Sequence, residues 1–107
     1  MVNLAWLRTQ IRRGHYVLTR HAETERMEED IDILNVEEAI LSGKILELYP
    51  SDPRGSSCLL LGWAAGRPLH VVCGRKQGWA VIITVYRPLP PHWITPEIRR
   101  KKESHDA

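Results

Sequence analysis

The sequence predicts an α+β domain in which N-terminal helices pack on a four-stranded antiparallel sheet. Three observations carry that expectation. Apolar residues recur at helical spacing through the first 43 positions. After Lys44 the pattern changes to short runs rich in β-branched and aromatic residues. Stretches of turn-forming residues separate those runs. With 107 residues, the chain is long enough for a single domain with its own core.

The stretch "NLAWLRTQIRRG" puts Leu4, Leu7 and Ile11 on one helical face, with Asn3 as N-cap and Gly14 as the stop. "HYVL" reads as a short β-like break. Thr19 then caps a second helix over about residues 20–29, whose first turns are rich in acid, as the helix dipole prefers. "NVEEAILSG" is a third helix. Asn35 stands at its N-cap position, Glu38 completes a capping box and Gly43 follows its end. Val36, Ala39 and Ile40 form its apolar stripe. "ILELY", "CLLLGW", "LHVVC" and "WAVIITVY" are the four strands. The prolines of "RPLPPHWITP" lack the donor N–H that a ladder requires, so that segment stays outside the sheet. Trp93, within it, reads as an anchor folding over the sheet. Residues 1–95 are read as one domain and 96–107 as a charged flexible tail.

Composition is that of an ordinary globule, 43% hydrophobic and 26% charged. There is no Phe, so four Trp and three Tyr supply the large rings. Of the 15 basic and 13 acidic residues, the tail from Pro96 holds four and three, which leaves a nearly neutral body. Any nucleic-acid site must therefore be a local patch rather than the whole surface. Cys58 and Cys73 lie in apolar runs, the habit of buried free thiols. No apolar stretch approaches the ~18 residues of a membrane span. The start of the chain is too polar and broken for a signal peptide, and a cytoplasmic location is the expectation.

The loop Lys76-Gln77-Gly78 suggests a three-residue hairpin with Gly last. That register sets Arg75 opposite Trp79, Cys73 opposite Val81, Val72 opposite Ile82 and His70 opposite Thr84, with Tyr86 near Pro68. One face then collects Leu69, Val71, Cys73, Val81, Ile83 and Val85. The other collects His70, Val72, Ile82, Thr84 and Tyr86, with its polar members grouped at one end. A polar outer face is also ordinary for an antiparallel sheet, so solvation or a covering tail explains it equally.

The order of "HAETERM", "VEEAILSGKILELYPSDPRG", "LLLGWAAGRPLHVVC" and "VIITVYRP" with a following Trp resembles a small bacterial family known as a domain of unknown function, number 4258. That family is similar to compact toxin endoribonucleases of the RelE and BrnT kind. The resemblance implies a RelE-like helix-then-sheet fold with RNA lying across the sheet. It also implies metal-free cleavage and an antitoxin protein as partner. The pattern departs in this helix, because the position four after His21 holds Glu25 where the family carries arginine, and Glu29 and Asp30 precede Ile31 where the family has a basic residue. Glu25 lies about 40° from His21 around a helix, and Arg26 about 140°.

Metal-free RNA cleavage needs a base, an acid and a cation for the phosphate. The candidates are His21, His70 and Tyr86 for catalysis, with Thr84, Arg87 and Arg67 for RNA and phosphate binding. No cofactor is expected. His21 and Glu25 share a helix face and could form half of a metal site, but no ligand spacing completes it. His21 could equally be a helix-start residue bonded to the backbone. A non-enzymatic protein- or RNA-binding module of the same fold is the alternative function. A homodimer meeting through Trp63 and Trp79 is a third. His15, His92 and His105 carry no assigned role.

Overall fold

A computed structural model describes residues 2–51, 53, 55–90 and 92–99. The order is α1 (Leu4–Arg12), β1 (Tyr16–Leu18), α2 (Arg20–Glu28), α3 (Ile33–Ser42), β2 (Lys44–Tyr49), β3 (Ser57–Ala64), β4 (Arg67–Lys76) and β5 (Trp79–Tyr86). The class is α+β as the sequence predicts, but the sheet has five strands and is mixed, in the order β1-β5-β4-β3-β2. The added strand is the "HYVL" break. It pairs parallel to β5 through Tyr16–Ala80, Val17–Val81 and Leu18–Ile82. Three residues are too few to show an alternation, so only the partner strand reveals them.

Capping follows the expectations at α1 and α2 and departs from them at α3. Asn3 accepts the Trp6 N–H at 2.8 Å, and Thr19 accepts the Ala22 N–H at 3.0 Å. Gly14, at φ +69, supplies the left-handed residue that ends α1. The third helix starts earlier than predicted. Asp32, not Asn35, is its N-cap, with its carboxylate facing the Leu34 N–H at 3.5 Å. Both are good capping residues, and burying Ile31 beside Asp32 fixes which is used. Val36, Ala39 and Ile40 are fully buried, as their spacing predicts.

Gly43 is extended rather than left-handed, at φ −80 and ψ 170. Its reason is space. A Cβ there would lie 2.6 Å from the Ala39 carbonyl oxygen, and one on Gly62 would lie 1.8 Å from the same atom. Two glycines thus let the backbone of α3 sit directly on β3. The main core joins Leu7, Ile11, Val36 and Ile40 of the helices to Leu60, Leu69, Val71, Ile82 and Val85 of the sheet. Cys58 and Cys73 are free and buried within it, and burial pushes the Cys58 thiol up to about 11.

The β4–β5 hairpin is tighter than predicted. Lys76 faces Trp79, and the two-residue turn has Gln77 at φ 52 and Gly78 at φ 81. Two positive φ angles match the twist of a two-residue hairpin, so Lys76 belongs to the strand. The ladder then runs Arg75–Ala80, Gly74–Val81 and Cys73–Ile82, breaks at a bulge, and resumes at Val72–Thr84, Val71–Val85 and His70–Tyr86. The bulge adds Ile83 and reverses alternation across it. Ile82 therefore moves into the core, while Val81 and Ile83 join the outer face. His70, Val72, Thr84 and Tyr86 remain together on that face, as predicted.

Among the described residues no helix is long and apolar enough to cross a membrane.

Candidate functional site

The outer face of the sheet is not bare. Leu59, Leu61 and His70 are buried there, and Trp93, 3% exposed, lies against the His70 ring. The Pro-rich segment after β5 thus folds back as the tail anchor the sequence suggests, and the packed part continues through Arg99. Residues 100–107 of the expected tail lie outside the described residues.

His70 is the clasp of this segment. The Trp93 ring meets it edge-on at 4.3 Å. Its Nε2 lies 2.6 Å from the Pro96 carbonyl oxygen and its Nδ1 lies 3.1 Å from the Tyr86 hydroxyl. The carbonyl can only accept, so Nε2 carries the proton and Nδ1 accepts from Tyr86. Burial holds the imidazole below its ordinary value, and Arg99 adds to this. The Pro96 carbonyl and Glu47 pull the other way. His70 is therefore neutral, sealed and fully bonded.

Arg99 closes the same segment. It donates to Glu47 at 2.8 Å and lies 4.5 Å above the Trp93 ring. Burial opposes ionisation of Glu47, but the hydrogen bonds from Arg99 and Tyr49 outweigh it and hold the carboxyl below its ordinary range. Lys44 and Glu97 add an exposed pair at 2.6 Å.

Between this segment and α2 opens a cleft of about 530 Å³. Thr84 and Tyr86 line it from β5 and Arg87 from just after it, with Glu25 and Glu29 from α2 and its end, and His92, Trp93 and Arg99 from the covering segment. Burial raises the Tyr86 phenol, with Glu47 and Glu25 adding to the rise, while the Trp93 hydrogen bond and Arg99 oppose it. Tyr86 stays protonated and donates.

The carboxylates of Glu25 in α2 and of Glu29 at its C-cap have a structural task. Glu25 accepts the Val85 N–H at 3.0 Å, and Glu29 accepts the Arg87 N–H at 3.2 Å. The Thr19 hydroxyl donates to the Ile83 carbonyl at 2.9 Å. Where β1 stops, side chains of α2 take over the edge of β5. The Glu25 oxygen bonded to Val85 also meets His21 Nε2 at 3.2 Å. His21 itself is 66% exposed, and its link to the cleft is the lining residue Glu25. Arg26 turns the other way, to Glu23 at 2.6 Å and to the Ile31 carbonyl, as the helical angles require.

Of the residues predicted from sequence, the structure gathers Thr84, Tyr86 and Arg87 in the cleft and His21 beside it. It places His70 under the floor and Arg67 outside the lining residues. Glu25, Glu29, His92 and Arg99 are the charged and imidazole lining residues that sequence reasoning leaves out of the site. The four-residue spacing of Glu25 and Glu29 is the signal that could have found two of them. Among the described residues no three His, Cys, Asp or Glu side chains are grouped to hold a metal.

A family model described as a domain of unknown function, DUF4258, matches residues 18–87. No curated protein matches the chain, and no solved structure does.

Proposed function

This chain belongs to the DUF4258 family, and we propose that it is a RelE-like, metal-independent endoribonuclease of the toxin–antitoxin type, acting on RNA in the cleft beside β5. The observation that supports this is the meeting of Thr84, Tyr86, Arg87, His92 and Arg99 in one cleft, with Glu25 of its lining in contact with His21.

RNA carries its own nucleophile, so the protein need only move protons and hold the phosphate. With Nε2 donating to Glu25, His21 Nδ1 bears the lone pair and takes the proton from a 2′-hydroxyl. The 2′-oxygen bonds to phosphorus and the bond to the 5′-oxygen breaks. His92, on the covering segment, supplies the proton that this oxygen takes up. The products are a 2′,3′-cyclic phosphate and a 5′-hydroxyl. Arg87 and Arg99 hold the phosphate, Thr84 orients it, and the Tyr86 ring gives a floor for a base. His70 acts as a positioning residue by holding Tyr86 and the covering segment.

Incubating the purified chain with RNA in chelator tests this. Cleavage is expected, reduced at least ~100-fold by His21→Ala. Arg87→Ala should act mainly on KM, and expression should slow the host until the antitoxin is supplied. RNA left intact by the wild-type chain overturns the nuclease reading.

The sealed His70 and the two carboxylates in the cleft favour a second reading, a non-enzymatic RNA- or protein-binding module. Binding of RNA without cleavage would support it.

A further inference from the structure

The acidic and basic residues are segregated. From position 2 to 22 the chain holds Arg8, Arg12, Arg13 and Arg20 and no Asp or Glu. From 53 to 96 it again holds cations and no Asp or Glu. The acids concentrate instead in α2, α3 and the link between them. The fold brings the two acid-free stretches together where the end of α1 meets the β4–β5 hairpin. Gln10 Nε2 ties them, 3.0 Å from the Gly78 carbonyl oxygen and 3.1 Å from His15 Nδ1.

That junction carries exposed cations and exposed rings. Arg12, Arg13, Arg75 and Lys76 are all exposed, and none is paired with a carboxylate among the described residues. Trp79 stays 40% exposed and stacks on His15 at 3.9 Å between centroids. Arg75 lies 4.7 Å over the Trp6 ring. Cations beside a held aromatic ring are what a single-stranded nucleic acid recognises, through phosphate contacts and base stacking.

A shallow groove leads away from this patch. It is lined by Arg75, Lys76, Gly74, Val81, Ile83 and Thr19. The cleft begins at the next residue of β5, Thr84. From Trp79 to Tyr86 the strand spans about 23 Å. The cleft itself holds Glu25 and Glu29 as well as Arg87 and Arg99, so cations outside it would add to its hold on a phosphate chain.

We propose that the patch of Arg12, Arg13, Arg75, Lys76 and Trp79 is a second RNA-binding site, which grips single-stranded RNA and leads it along β5 into the cleft. The proposal rests on the reading above for its substrate class, but its test is independent of cleavage.

The probe is a fluorescent oligouridine of about 20 nucleotides with 2′-O-methyl sugars, which cannot be cut, titrated with the full chain at about 50 and 200 mM salt. Arg12→Ala/Arg13→Ala/Lys76→Ala should weaken binding about tenfold and reduce the salt slope by about two. Trp79→Ala should weaken it about tenfold, and Trp79→Phe should restore much of the loss. Thermal unfolding confirms that these surface variants fold. Patch variants that bind as wild type while Arg87→Ala weakens binding would overturn the second site and leave the nuclease reading standing. Patch-dependent binding without cleavage of ordinary RNA would do the reverse. A chain that ignores the oligonucleotide but retains a poly-glutamate peptide, or a Trp79→Ala variant that only splits a dimer, would also overturn it.

Discussion

One face of the sheet buries Leu60, Val71, Cys73, Ile82 and Val85 against helices, whereas the other buries Leu59, Leu61 and His70 beneath a Pro-rich segment. The first is apolar throughout and held by backbone contact as close as that of Gly62 with Ala39. The second mixes one Trp with a polar network of His70, Tyr86, Glu47 and Arg99. Apolar packing can be varied while its volume is kept, but the buried part of such a network, His70 with Tyr86, needs both members in place. The helix side therefore carries most of the fold. The other side positions the cleft.

The largest effect should come from breaking the first face. Gly62→Ala places a methyl group 1.8 Å from the Ala39 oxygen, and a loss of about 4 kcal/mol is expected in urea unfolding. A loss near zero would show that α3 can lift from β3 and that the faces differ less than described. Trp93→Ala removes the main apolar contact of the second face and should cost about 3 kcal/mol. Hydrogen exchange should rise around His70 and Pro96 and stay slow in α3. Equal acceleration on both faces would erase the distinction.

Acid should act on the second face through His70. Its folded value lies below the ordinary 6.5, so below that pH the unfolded chain binds more protons than the folded one. Stability present at neutral pH should fall as pH drops through 6.5 toward the depressed value. His70→Gln should flatten that slope, measured as urea midpoints against pH, and an unchanged slope would place the titration elsewhere. Arg99→Ala should have the smallest effect, about 0.5 kcal/mol, because its pair with Glu47 is half exposed.

The same contrast explains what is legible in the sequence. The caps at Asn3 and Thr19 and the stripe Val36, Ala39 and Ile40 are local, so spacing alone reveals them. Thr84 and Tyr86 lie two apart on one strand, so alternation puts them on one face, and Arg87 follows at the strand end. β1 is not legible, because its three residues become a strand only beside β5. The bulge at Ile83 is not legible either, since nothing local marks where alternation reverses. Whether His70 faces solvent or is sealed depends on Trp93 and Pro96, which lie more than twenty residues on. Arg99, inside a segment that reads as a charged tail, gives no sign of its contact with Glu47.

The carboxylates of Glu25 and Glu29 have one further consequence. A strand edge with free N–H groups is a template on which another chain can pair and begin to aggregate. Beyond Leu18 the edge of β5 would be such a template, apolar and β-branched at Ile83 and Val85. A helix with two acids one turn apart occupies those donors and sets negative charge along the rim. An approaching strand finds the Val85 and Arg87 donors already taken.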